Sequence, residues 1–529
     1  MVRGFRVKVR DTVHRITYTV FTRAGRYRVP NLPASSFEVR VLEDAFQSPL
    51  EQVELKPGES KTVSIDLKAK PLRTDGPELV DFDTLYPPGP DRDIFLRVCS
   101  GCHGKNFFHR QRRSEKGWKE AVAAMTSLEV PASPNVNGTP PLPHIDPQEK
   151  EIVLRYLVTN FGPNSPRRDI KTDDLRVDED EVADAIYMEY DLPPMQRTEP
   201  FHTILKGENR PPLSENNPLK NVRPNHMLHD AYVAPDGKIW FGDTGGNELL
   251  RLDPKELDPV KRWKEYPIPG DEFVFIHGST VDSKGRVYWA EMRGSRLGEL
   301  DPKTGEMTRH EVPLHGGMLQ VVVDSHDNVW YGIANGSALG KLDATTRKLS
   351  SWKLQTPDSH PYGFIAARNG TIWYTDIAKH QIVKFDPGTA KFTEYKTPTQ
   401  PSGPRRLGED SKGKIWFSEF MGNKLGVLDP DTGKITEYDF PLRYTQAYET
   451  WPDQEDNIWV SDGIYNSLIK FDQKTKKFTY YPMPQYRYFL PKIEMDKEGT
   501  IWFGSRIVEN ITAVAFKPKG NALPKSSQR

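Results

Sequence analysis

From residue 237 to the C-terminus one pattern of hydrophobic and polar positions recurs: a short apolar run, a tight polar turn, a run of β-branched and aromatic residues, a small-residue turn and another strand-like run. Gly413-Lys414-Ile415-Trp416-Phe417-Ser418-Glu419 carries it in full. The aromatic at its centre sets the period, because Trp240, Tyr288, Trp330, Trp373, Trp416, Trp459 and Trp502 lie 48, 42, 43, 43, 43 and 43 residues apart. Asp282-Ser283-Lys284-Gly285 and Asp410-Ser411-Lys412-Gly413 read as hairpin turns, and Asp429-Pro430 through Gly433 as a second turn before a polar outer strand, Thr436-Glu437-Tyr438. Four short strands per unit match one propeller blade. Seven units predict a mainly β chain with a seven-bladed β-propeller over residues 185–517.

The seventh unit ends near Lys517 without an outer strand of its own. Met188-Glu189-Tyr190-Asp191-Leu192-Pro193 copies Thr436-Glu437-Tyr438-Asp439-Phe440-Pro441 with no blade before it, so it is expected to supply that blade's edge and cover an exposed strand. Upstream, Tyr27-Arg28-Val29, Phe37 to Val41 and Val63 to Leu67 alternate with period two and predict a small N-terminal β-sandwich over residues 1–70. A proline-rich stretch from Lys70 to Pro90 reads as linker.

The pattern turns helical over residues 91–162. Asp93 to Val98 is one helical segment, and Trp118, Val122 and Met125 fall at i, i+4 and i+7 of a second. A third opens with Asp146 as N-cap, Pro147 in the first turn and Glu149 completing a capping box, then carries Ile152, Val153, Tyr156 and Leu157. Residues after Gly162 are charged and irregular and read as a connector to the propeller.

Composition narrows the function classes. Equal counts of 73 basic and 73 acidic residues give no argument for a nucleic-acid partner, and no apolar run approaches a membrane span. The two cysteines lie three apart, which is no disulfide framework but, in Cys99-Ser100-Gly101-Cys102-His103, the attachment pattern of a c-type haem. Two thiols at this spacing can each bond a vinyl group while the following imidazole ligates the iron. The competing reading is a redox dithiol, which the adjacent histidine and the missing βαβ pattern disfavour. Residues 91–162 thereby resemble a class I cytochrome c domain holding one covalent haem c on Cys99, Cys102 and His103. Met125, the domain's single methionine, is the expected sixth ligand, with His109 and His144 as rivals and core filling as the alternative role for Met125. Gly25-Arg26-Tyr27-Arg28-Val29-Pro30-Asn31-Leu32-Pro33-Ala34 resembles the carboxypeptidase-regulatory-like β-sandwich, expected here without its first strand. Haem attachment implies a periplasmic or otherwise exported protein, although no signal peptide is legible, which is read as a missing N-terminus.

A propeller binds ligands where the first strand of each blade begins. Eleven residues before the ruler stand His229, His277, Leu319, Tyr362, Arg405, Tyr448 and Pro491; three residues after it stand Asp243, Glu291, Ile333, Asp376, Glu419, Asp462 and Ser505. The alternative for each is structural, capping turns or packing the channel. Arg405-Arg406, with Tyr362 and Tyr448, is the candidate for holding an anionic group of a small ligand.

Gly413 to Glu419 with Gly422-Asn423-Lys424-Leu425-Gly426 resembles the streptogramin lyase (virginiamycin B lyase) family of seven-bladed propellers. That family opens a cyclic depsipeptide by elimination with a histidine base and a carboxylate-held magnesium ion. The resemblance implies His277 as base, with His229 and Glu291 beside it and magnesium in the propeller; the second metal carboxylate of the pattern is replaced by Phe275. Elimination moves no net electrons, so a haem next to such a site would be idle. The expected function is therefore haem electron transfer to a redox partner protein, with a propeller that binds a small molecule; a metal-assisted lyase and a non-enzymatic ligand-binding propeller are the alternatives.

Overall fold

The computed structural model describes residues 4–71, 76–126, 146–199, 224–270, 273–292, 295–314, 316–334, 338–485, 490–504 and 512–521, without the side chains of Cys102 and residues 123–126. The expected ligands Cys102, Met125 and His144, and the ring position Ser505, therefore lie outside what is described.

The repeat folds as read, up to its last unit. Residues 228–267, 276–311, 318–353, 361–396, 404–439 and 447–482 form six separate four-stranded antiparallel sheets, each a meander of neighbouring strands. The ruler is an indole for a definite reason. Trp330, Trp416, Trp459 and Trp502 donate Nε1–H to Asp324, Asp410, Asp453 and Asp496 at 2.8–2.9 Å. Each aspartate stands six residues upstream, and the other oxygen of Asp410 also accepts the backbone N–H groups of Lys412 and Lys414 at 3.0 Å. One carboxylate thus fixes both the hairpin turn and the large side chain that fills the space between blades.

Of the seven blades expected from the repeat, six are separate four-stranded sheets among the described residues. The strands of the seventh unit, Glu494–Met495, Ile501–Gly504 and Thr512–Lys517, belong to an eight-stranded sheet. Ile186–Asp191 pairs antiparallel with Thr512–Lys517, so the upstream copy of the motif does join the last unit. It is no edge, however: its other side pairs with Ile16–Phe21, and the sheet continues through Arg6–Asp11 and Ser35–Val41 to Glu51–Leu55. The N-terminal strands are thus an extension of the sheet that closes the ring. Val7, Val9, Val20 and Phe37 share a core with Leu228, Phe241, Trp263 and Trp502. Tyr27-Arg28-Val29 and Val63 to Leu67 are not strands; the Tyr27 hydroxyl instead donates to the carbonyl of Val63 at 3.1 Å.

The helical segment packs as a small unit between two short strands, Glu78–Val80 and Arg168–Ile170, that pair in parallel where the chain enters and leaves it. Pro90–Phe95 lies against Pro147–Asn160 through a Phe95–Tyr156 stack at 4.8 Å and a bidentate Asp91–Arg155 pair. Asp146 caps Pro147–Asn160 as its sequence requires, accepting from Glu149 N at 2.7 Å. The first helix widens to a π-helical turn over Leu96–Ser100, which carries Cys99, before Gly101–His103. No helix among the described residues is long and apolar enough to cross a membrane.

Candidate functional site at the propeller mouth

Every innermost strand of the six blades breaks its pairing register at the same place. Two residues on it oppose none or one of the neighbour, and such bulges re-aim side chains. The bulged pairs are His229-Asp230, His277-Gly278, Leu319-Gln320, Tyr362-Gly363, Arg405-Arg406 and Tyr448-Glu449. Their first members are the ring read from the sequence. Their second members form a ring beneath it that sequence reading did not single out, except for Arg406 beside Arg405. The signal was present, since the second ring lies one position on in the same register. Gly278 and Gly363 are glycines because a Cβ would meet the next blade's backbone, at 2.7 Å from Leu319 O and 2.4 Å from Arg405 O.

The lower ring closes the channel with charge. Arg406 reaches across it to Asp230 (3.0 Å) and Gln320 (2.5 Å), with Glu449 3.9 Å from its Nε. Lys492 stands 4.0 Å from Glu449. Burial opposes ionisation of Asp230, but Arg406, then His229, hold its pKa below the usual carboxylate value. Glu449 has no such full compensation, and burial pushes it up to about 7.

In the upper ring, His229 donates Nδ1–H to Asp230 at 2.7 Å, and its ring lies 4.1 Å from that of His277. His277 donates Nδ1–H to the carbonyl of Leu319 at 2.6 Å, which leaves Nε2 as the basic nitrogen of the neutral ring. Tyr362 stands 5.8 Å beyond. The histidines implied by the lyase pattern are thus together, but the carboxylate is not available to them. Glu291 is fully buried and takes a bidentate pair from Arg309, 2.7 Å on each oxygen, on the outermost strand of its blade. Its charge is spent away from the channel, and Phe275 offers no replacement.

Of Arg405, Tyr362 and Tyr448, the residues expected to hold a ligand, Arg405 meets the helical unit and the two tyrosines lie around its guanidinium. The Arg405 guanidinium lies 4.2, 4.9 and 5.4 Å from the rings of Phe420, Tyr362 and Tyr448 and donates to the carbonyl of Gly101, between the two cysteines. Tyr362 and Tyr448 hydrogen-bond to each other beneath it. Gln446 accepts from the backbone N–H of Lys105 at 3.2 Å, and Asn106 donates to Gly463 O at 3.1 Å. Gly104, at φ +78°, has no room for a side chain, since a Cβ would sit 1.9 Å from Gln446 Nε2. Asp173 clamps the unit's exit to the sixth blade through Arg443, 2.7 Å from its backbone N–H and 2.8 Å from Nε. His360, buried beside Arg405, is pushed down to about 3 by burial and by that cation.

Three acids after the ruler serve blade turns. Asp376 accepts N–H bonds from His360, Ala378 and Lys379, and Asp462 from Gln446, Ile464 and Tyr465. Asp243 accepts from Met227 and Gly246. Glu419 is pushed up to about 9 by burial and by Glu437.

In the helical unit, His103 stacks on Phe107 at 4.3 Å, and Cys99 is half-buried. His109, a rival iron ligand, has both ring nitrogens engaged, by Tyr86 Oη at 3.2 Å and Asp169 Oδ1 at 3.0 Å.

The family model of the virginiamycin B lyase family matches residues 219–470. No curated protein matches the chain. Among solved structures, a streptogramin B lyase is 23% identical with a TM-score of 0.51, covering 56% of this chain and 94% of its own. A catalytically inactive virginiamycin B lyase of Staphylococcus aureus with quinupristin is 20% identical with a TM-score of 0.51, covering 55% of this chain and 95% of its own. The selenomethionine form of that lyase is 21% identical over the same share. At these identities the likeness is one of fold, and the propeller of this chain is a virginiamycin B lyase-like propeller.

Proposed function

We propose that this protein is an exported c-type cytochrome whose haem-bearing segment is held against the mouth of its own lyase-like propeller. The observation that supports it best is the contact of Arg405 with the Gly101 carbonyl, backed by Gln446 and Gly463 on Lys105 and Asn106. The donor set fits the group: two thiols and an imidazole within one helical stretch, on a unit with an aromatic core of Phe95, Phe108, Trp118 and Tyr156. Cys99 and Cys102 would hold a haem covalently and His103 would ligate its iron, with Met125 as sixth ligand. A haem there would supply one-electron transfer. The residues of the propeller hold the segment: the buried aromatic rings around Arg405 pin the guanidinium, and Gln446 accepts from the backbone N–H of Lys105. A mouth so covered serves as a docking platform, and small ligands or a redox partner would reach it beside the helical unit.

The elimination reading has less support, because of the two carboxylates that would carry magnesium one, Glu291, is engaged by Arg309 and the other is replaced by Phe275. A ligand-binding role for the His229–His277 pair is the second reading, favoured by the pinned tautomer of His277.

The test is export of the full chain in a host with haem-maturation machinery, followed by a haem stain after denaturing electrophoresis and an absorption spectrum. Covalent haem in the parent and none in Cys99→Ala/Cys102→Ala is expected. A parent protein without haem refutes the assignment. A Met125→Ala variant that keeps the haem but loses the long-wavelength thioether-to-iron band identifies the sixth ligand.

A further inference from the structure

The first blade carries a cluster that none of the channel chemistry uses. His226 precedes the innermost strand, Asp243 ends the second and Glu248 begins the third, so the fold brings one imidazole and two carboxylates to one corner. His226 Nδ1 lies 2.5 Å from Asp243 Oδ2 and 3.9 Å from Glu248 Oε1, and the three donor atoms fall within 4.8 Å of one another. From these positions we infer that His226, Asp243 and Glu248 form a binding site for a divalent transition-metal ion of the zinc class.

Three features separate this corner from an ordinary acidic cluster. Glu248 is 4% exposed, yet its Oε1, the oxygen turned to the histidine, has no hydrogen-bond partner. A carboxylate oxygen buried in that way is costly unless something cationic meets it. Gly246 lets the two acids approach each other, since a Cβ at 246 would stand 2.5 Å from Asp243 Oδ2 and 2.8 Å from Glu248 Oε1 and drive them apart. The third feature is orientation. His226 Nε2 donates to the carbonyl of Pro193 at 2.8 Å, so loss of the proton that Nδ1 shares with Asp243 Oδ2 leaves the Nδ1 lone pair to the site. Asp243 Oδ1 is held by Met227 and Gly246 N–H groups at 2.7 and 3.1 Å, leaving Oδ2 for the ion.

A nitrogen with two carboxylate oxygens suits zinc or manganese better than calcium, which prefers oxygen alone. Tetrahedral bonds of about 2.0–2.2 Å need donor spacings of roughly 3.3–3.5 Å. The histidine and Asp243 would part by about an ångström, and the ion would replace the proton they share. The ion would tie the first blade to the chain leaving the ring-closing strand, because Pro193 follows Ile186–Asp191 and Trp263 of the same blade donates to Asp191 O at 2.9 Å. Its role is to fasten the seam of the propeller, independent of the haem reading.

The experiment uses the full chain stripped with chelator, titrated with zinc, manganese and calcium chloride by calorimetry and followed by thermal unfolding. The expected result is one equivalent of zinc or manganese whose binding raises the melting temperature. Glu248→Gln removes a donor. Gly246→Ala keeps the three side chains but pushes Asp243 and Glu248 apart, at a position with no positive φ, and a circular dichroism spectrum matching the parent shows that it folds. Each variant is expected to bind roughly tenfold or more weakly and to lose the thermal shift. Zinc binding to Cys99 and Cys102 would persist in both variants. Unchanged binding and shift in Gly246→Ala and Glu248→Gln, or no binding by the parent, overturns the site.

Discussion

Replacing Arg406 with methionine tests the cross-channel network most directly. The guanidinium is 2% exposed, 3.0 Å from Asp230 and 3.9 Å from Glu449. At an effective dielectric near 20, unit charges about 4 Å apart attract by about 4 kcal/mol. Methionine keeps most of the volume but leaves Asp230 and Glu449 facing each other across a buried channel. Breaking one side of a buried pair costs about 3–5 kcal/mol, and that is the loss expected at pH 8. Part of it should return as pH falls, because Glu449, already raised to about 7, takes up a proton and one repulsion disappears. Asp230→Asn in the Arg406→Met background should recover at least about 2 kcal/mol, a coupling within the range for residues sharing one network. Equilibrium denaturation followed by tryptophan fluorescence measures all four corners of the cycle. If the single substitutions each cost under about 1 kcal/mol and add, the channel is wet and the network is not what closes it.

Two buried groups give opposing pH slopes. His360 is held near 3, so the unfolded chain binds a proton below its usual 6.5 that the folded chain refuses, and stability falls as pH drops through that window, by about 4–5 kcal/mol at most. Glu449 is raised to about 7, so the folded chain holds a proton that the unfolded one releases above 4.5, and stability falls by up to about 3 kcal/mol as pH rises to 7. The slopes oppose between pH 4.5 and 6.5, so Glu449→Gln and His360→Gln should each show a steeper dependence than the parent, of opposite sign; parallel curves would contradict the burial of both groups. Arg405→Met should speed amide exchange in residues 101–106 while the blades stay protected, and unchanged exchange there would mean that the mouth contact holds nothing. Asp410→Ala should cost about 1–3 kcal/mol, read from chemical denaturation, since it strips both the indole and the turn amides of their acceptor; a near-neutral effect would remove that account of the repeat.

The repeat was legible because its causes are local. A turn aspartate, an indole six residues on and alternating apolar positions are set by hairpin geometry, and they specify a blade wherever they occur. The helix at Pro147–Asn160 was legible for the same reason, through its cap at Asp146. The ring of His229, His277, Tyr362, Arg405 and Tyr448 could be found from register alone, because equivalent positions in a repeat occupy equivalent places.

What those residues touch was not legible. Glu291 and Arg309 meet across a sheet, Arg406 and Asp230 across the channel, and Arg405 and Gly101 across 304 residues of chain. No local pattern encodes such pairs; they exist because ring closure brings separate blades to one axis. The count of separate blades was decided the same way. The sequence of the seventh unit is a blade sequence, but its sheet had a free edge, and strands from the N-terminus continued it to eight. Hydrogen bonding along an open strand edge is satisfied by whichever strand the whole chain brings there, and that is fixed only in three dimensions.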